Sequence, residues 1–185
     1  PHFLSIVVVV SMIRNILSPS MGIVNAILKQ MGGQGIYFIG EPKYFRPIMI
    51  LSGIWQEIGW GSIIYLSAIS GINTELYESA VIDGAGRWKQ ILHITIPGIA
   101  QTIVIMLILR IGSLLSVGFE KVYLLQNPHN LAVSEVLSTY VYKRGMINNN
   151  YSLATAVGLF NGIISLILVA LANKLSKKYS EISLV

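Results

Sequence analysis

Residues 75–98 read ELYESAVIDGAGRWKQILHITIPG. This polar stretch sits between two long apolar runs, PIMILSGIWQEIGWGSIIYLSAIS at 47–70 and PGIAQTIVIMLILRIGSLLSV at 97–117. Asn73 or Thr74 can cap a helix there, with Glu75 in the first turn, where the helix dipole favours a negative charge. Leu76, Tyr77, Ala80, Val81 and Trp88 then fall at helical spacing as an apolar stripe. Asp83-Gly84 ends or bends the helix, because glycine reaches positive φ without a steric penalty. Ser79, Ala80, Gly84, Ala85 and Gly86 crowd the bend with small side chains that let another surface approach. Two readings stand on these residues alone: a connecting loop with an interfacial helix, or a docking knob offered to a partner protein.

The surroundings are unusually apolar. Of 185 residues 54% are hydrophobic and 11% charged, against about 25% charged in soluble domains. So few charges cannot cover a globular surface, and a bilayer removes the need. The 13 Lys and Arg outnumber 8 Asp and Glu, but they are dispersed. Nothing resembles a nucleic-acid patch. The absence of cysteine excludes a disulfide scaffold and thiolate metal sites, and His2, His93 and His129 are too scattered to suggest a metal centre.

Four spans are expected, at about 1–17, 47–70, 97–117 and 151–173, in an all-α polytopic bundle that forms a single domain. The first run is short, has no basic region ahead of it, and is expected to begin inside a helix with upstream parts missing. Pro97 suits the first turn of the third span, where its missing N–H costs nothing. A short amphipathic helix is expected at 21–31, and another within SEVLSTYVYKRG at 134–145. The rest of 118–150 reads as interfacial or aqueous loop. Gly158 and Gly162, extended back by Ala154, permit close helix approach. Charge does not orient the chain. Arg87, Lys89, Lys174, Lys177 and Lys178 lie on one side; Lys29, Lys43, Arg46, Lys121, Lys143 and Arg144 lie on the other, with Arg14 near them.

The stretch ESAVIDGAGRWKQILHITIPG resembles the EAA loop of ABC importer permeases. Glu78, Ala80, Asp83, Gly84, Ala85, Ile94, Ile96 and Pro97 fall in register, while Ser79 replaces the first Ala and Ile96 stands where Leu is usual. PHFLSIVVVV, GIWQEIGWGSIIYLSAISGINTELYE, VGFEKVYLLQNP and YSLATAVGLFNGII are similar to carbohydrate-type members, especially those for oligosaccharides. The resemblance implies a type I importer permease, lacking N-terminal helices, in the bacterial plasma membrane. It implies a cytoplasmic coupling loop at 71–96, seated in a groove of an ATPase subunit. Glu78, Ser79, Ala80, Asp83, Gly84 and Ala85 would make the contact and the bend. A second permease and an extracytoplasmic solute-binding protein would complete the importer. No Gly-x-x-x-x-Gly-Lys-[Ser/Thr] occurs in these residues, so no cofactor is expected here, and ATP with Mg would bind the partner ATPase.

With that topology, Glu57 and Arg110 are the costly residues, since a mid-bilayer charge costs roughly 2.5–3.5 kcal/mol on insertion scales. They lie about 15 Å and about 10 Å from the outer end at 1.5 Å per residue. The similar depths suggest that they pair or line a polar cavity; separate snorkelling or pairing with another subunit is the alternative. Trp55, Gln56 and Trp60 are candidates for sugar contact, offering apolar faces and an amide. Asn161 is a further buried amide, for helix–helix bonding or for substrate. A stand-alone channel or ion-coupled carrier is the competing reading, and Glu57 and Arg110 would suit it. A membrane enzyme lacks a plausible catalytic set.

Overall fold

The computed structural model describes residues 1–116 and 118–180, with the side chains of 178–180 excepted. It is 74% helical, and no strand occurs among the described residues. The helices are α1 (Ile6–Ile16), α2 (Ile23–Gln30), α3 (Pro42–Ser70), α4 (Thr74–Ile82), α5 (Arg87–Gln90), α6 (Ile96–Gly98), α7 (Ala100–Gly112), α8 (Phe119–Leu125), α9 (Leu131–Ser134), α10 (Leu137–Val141) and α11 (Tyr151–Ser180). Two wide π turns, Ile91–Thr95 and Tyr142–Ile147, follow α5 and α10. The chain divides into two compact units. The first holds Pro1–Glu57 with Ser116–Phe160, the second Ile58–Leu115 with Asn161–Val185.

The first unit is built on α1 and α8, which pack together. Val10, Phe45, Val122 and Leu125 form its buried core, with Ile6, Ile13, Ile48 and Val136 around them. Buried asparagines hold its loops. The Asn25 side chain donates to the carbonyls of Ser18 (3.0 Å) and Ile36 (2.9 Å) and accepts from the Ile36 amide at 2.7 Å. Asn130, fully buried, donates to the carbonyls of Ile39 (2.9 Å) and Leu125 (3.0 Å). Its Oδ1 accepts from the Asn127 amide and the Ser134 hydroxyl, each at 3.0 Å. A non-helical segment has no ladder to satisfy its polar backbone, so side-chain amides take over that task.

The second unit has few buried side chains, Ile99 and Ile108 among them. A methyl at Gly112 would lie 2.9 Å from Cγ2 of Val169, so α7 and α11 approach closely. Most of its large apolar side chains are exposed: Leu66, Leu107, Leu109, Ile163 and Leu171, with Leu166 at 70%.

Several expectations shift. The first predicted span is an 11-residue helix starting at Ile6, and Pro1–Leu4 form a turn before it instead of helix. The second begins earlier, at Pro42, with Pro47 inside the helix. The third is displaced most. Helix begins at Arg87, passes through Pro97 and breaks at Ile99, where Arg87–Gly98 and Ala100–Gly112 meet at 64°. Pro97 therefore lies inside that helical run instead of opening the span. Its missing N–H and its ring conflict with the carbonyl four residues back. The π turn at 91–95 widens the backbone at that place. The predicted end at Val117 lies outside the described residues. The fourth runs on to Ser180. The stretch 118–150, expected to be largely loop, holds α8 and α9 as well as α10. By length and composition, Tyr151–Lys177 is long and apolar enough to cross a membrane, and the bent pair is a second if taken as one span.

Asn130→Ala removes both donors and the acceptor from buried partners. It should cost about 1–3 kcal/mol for each group left unsatisfied, read as a lower unfolding temperature in detergent. Leu166→Ala, at an exposed position, should move that temperature little; equal shifts in the two variants would contradict this account of the loops.

Candidate functional site

The stretch at 71–98 folds into a capped, bent knob within the second unit. Asn73 is the N-cap: its Oδ1 accepts from the Glu75 amide at 3.0 Å, and its Nδ2 donates to Glu75 Oε2 at 3.1 Å. Glu75 thus closes the first turn of α4. At the other end Gly84 takes φ +74°. The Gly84 amide bonds to the Val81 carbonyl at 3.0 Å and the Ala85 amide to the Ala80 carbonyl at 2.8 Å. This double closure is the Schellman motif, and it needs a residue that tolerates the left-handed region. Beyond it Gln90 Nε2 donates to the Ala85 carbonyl at 2.9 Å, fixing the turn to α5. The Tyr77 hydroxyl meets the Thr95 hydroxyl at 2.9 Å and ties α4 back to the π turn.

The structure brings the six predicted coupling residues together on α4 and its turn. Glu78, Ser79, Asp83 and Gly84 are exposed; Ala80 and Ala85 are half-buried. No residue of α4 is buried. Ile82 is 86% exposed and Trp88 79%. Ile82 was not singled out from sequence, because it falls off the helical stripe. It becomes prominent only once the turn places it at the end of α4. A cavity of about 430 Å³ adjoins the bend, lined by Ala80, Asp83, Ala85, Lys89, Gln90 and His93.

The polar-path candidates divide between the units. Trp55, Gln56 and Glu57 belong to the first; Trp60, Arg110 and Asn161 belong to the second. Gln56 is buried, at 4% exposure, while Trp55 and Trp60 are half-exposed. Glu57 Oε1 lies 3.3 Å from His2 Nδ1. A pairing of Glu57 with Arg110, suggested by their depths, would run between the units. Lys121 in α8 was missed from sequence, where it read as loop charge. It is only 7% exposed. Burial lowers its pKa below the ordinary lysine value, and the Glu57 charge opposes that shift. The first unit thus assembles a histidine, a carboxylate and a buried ammonium that sequence spacing of 2, 57 and 121 could not bring together.

These features have counterparts among known proteins. The model of the family described as "Binding-protein-dependent transport system inner membrane component" matches residues 1–181. The polygalacturonan/rhamnogalacturonan transport system permease protein YteP of Bacillus subtilis (strain 168) is 48% identical over 98% of this chain and 56% of its own length. Protein LplB of the same organism is 42% identical over 98% of this chain and 57% of its own. The crystal structure of a bacterial alginate ABC transporter, in complex with a periplasmic protein bound to alginate pentasaccharide, contains a chain 45% identical to this one. It superposes with a TM-score of 0.95 over 100% of this chain and 64% of that one. The chain thus spans a little over half the length of the curated relatives it matches. A family match along nearly the whole sequence, and an all-α fold superposing at that level, place the molecule: the chain belongs to the family of binding-protein-dependent transport system inner membrane components.

Proposed function

We propose that this chain is part of the permease subunit of an ATP-driven oligosaccharide importer, and that α4 with its Gly84 turn is the helix through which a separate ATPase drives it. One observation carries this reading: a capped nine-residue helix that buries none of its own side chains and ends in exposed Ile82, with exposed Trp88 just beyond the turn in α5. An exposed apolar end on a fixed bend is costly in water and favourable against a groove. In this reading α1, α3, the bent run Arg87–Gly112 and α11 are the membrane segments, with the knob on the cytoplasmic side. A second permease and an external solute-binding protein complete the path. ATP and Mg belong to the partner ATPase. Coupling requires both sites to bias one two-state element, and a helix locked to the π turn through Tyr77 and Thr95 transmits displacement instead of absorbing it.

The substrate class is an acidic oligosaccharide. Support comes from the relatives, one named for polygalacturonan and rhamnogalacturonan transport, another a transporter that imports "the acidic polysaccharide alginate". Trp55, Gln56, Glu57, Trp60, Arg110 and Asn161, joined by Lys121, are the path residues. Indoles supply faces for sugar rings, amides bond hydroxyls, and the cations offset carboxylates.

Gly84→Pro locks φ near −65° and deletes the amide that bonds Val81. In the complete importer it should leave membrane insertion intact and lower binding-protein-stimulated ATP hydrolysis by about tenfold or more, with Glu78→Lys acting in the same direction. Full stimulation in both variants would refute the coupling role. In proteoliposomes the wild-type importer should accumulate uronate oligosaccharides when ATP is supplied. Accumulation of neutral sugars alone would refute the substrate class.

A further inference from the structure

The first unit contains a second polar feature, remote in sequence from the path candidates. A cavity of about 510 Å³ is lined by Arg14 at the end of α1, Tyr123 in α8, Gln126, Leu131 and Lys143. A neighbouring cavity of about 300 Å³ shares Arg14 and Asn127 with it and adds Tyr37. Both are open to the surface, with volumes in the range of small ligands. Their charges are not equivalent. Lys143 Nζ sits 3.1 Å from Glu135 Oε1 and is neutralised. Arg14 makes no ion pair among the described residues; its Nη2 donates to the Leu124 carbonyl, a neutral acceptor. A guanidinium carries five N–H donors, and Arg14 is exposed, so it keeps donors and its full charge open to a ligand.

The remaining wall is that of a sugar site. Tyr123 is held by Phe119 at 5.6 Å and by Tyr142 at 5.1 Å between ring centres, so it is a fixed aromatic surface. Gln126 donates through Nε2 to the Ser134 carbonyl (2.8 Å) and the Thr139 hydroxyl (3.3 Å). These two bonds hold the Gln126 side chain in place at the edge of the cavity. A planar guanidinium matches a carboxylate bidentately.

We infer that the paired cavities flanking Arg14 form an oligosaccharide subsite in which Arg14 grips one uronate carboxylate. Tyr123 supports a sugar ring there. Because both cavities share Arg14 and Asn127, they suit a linear chain longer than one sugar. This inference rests on the acidic-oligosaccharide reading above.

The test uses the complete importer in phosphatidylcholine proteoliposomes, which exclude anionic lipid as the ligand. Uptake is measured with a uronate tetrasaccharide and with its carboxyl-reduced, neutral counterpart. Arg14→Gln should raise the half-saturating concentration of the uronate by about tenfold and leave that of the neutral sugar unchanged; Arg14→Lys should recover part of the loss. Leu131→Glu leaves Arg14 and its bond to Leu124 in place but sets a carboxylate in the same wall. It should reproduce the selective loss, which guards against misfolding as the cause. Equal effects on both sugars, or none on either, overturn the subsite while leaving the importer assignment standing. Weakened docking of the unloaded binding protein in Arg14→Gln would mean that a protein carboxylate fills the pocket, and also overturns it. A wild-type importer that carries no uronate defeats the substrate reading, and this inference with it.

Discussion

The amide of Ala85 reaches back 2.8 Å to the carbonyl of Ala80 because Gly84 stands at φ +74°. That bond decides how the chain turns between α4 and α5. A residue with a Cβ would be strained at that φ, and the closure would compete with an ordinary helical continuation. With the turn fixed, the Gln90 side chain can bond the Ala85 carbonyl, and the Tyr77 hydroxyl can meet Thr95. The knob is therefore bonded at its start, its bend and its flank, and its exposed apolar end is held in place without being packed.

The same pattern, fixed backbone with uncovered apolar side chains, recurs on the long helices. The most apolar part of α11 buries none of its residues within the chain. Water is a poor solvent for such a surface, at roughly 25 cal/mol for each Å² left exposed. Lipid is the natural cover, as the inner-membrane family assignment requires. Gly158 and Gly162 meet no other atom within 4 Å where a Cβ would stand, so among the described residues nothing makes the close approach that they permit. The first unit is different: a small core at α1 and α8, with asparagines tying loops to it, gives the polar groups there defined positions.

Much of this was legible in the residues. Gly84 as the bend, a cap at Asn73 or Thr74, the amphipathic α2 and the long final helix all follow from local rules: positive φ, capping chemistry, periodicity. The features that escaped depend on contacts across many residues. The helix α8 is only seven residues long, and without its packing on α1 it reads as loop. Lys121 looks like a surface charge until that packing buries it. Asn25 and Asn130 gave no signal, since an amide that satisfies a distant carbonyl has the same local sequence as one in solvent. Pro97 does sit in the first turn of α6, but the helical run already enters it from Arg87 through the wide turn, so the span starts earlier than the rule for proline at a helix start suggests.

The central claim is that the end of α4 faces the cytoplasm and is covered by an ATPase. These 185 residues contain no cysteine, so Ile82→Cys in an otherwise cysteine-free protein is a clean reporter. In everted membrane vesicles, an impermeant maleimide should label it rapidly when the ATPase has been stripped away and slowly once the ATPase is restored. Labelling only from the external face of the membrane, or labelling indifferent to the ATPase, would contradict the account.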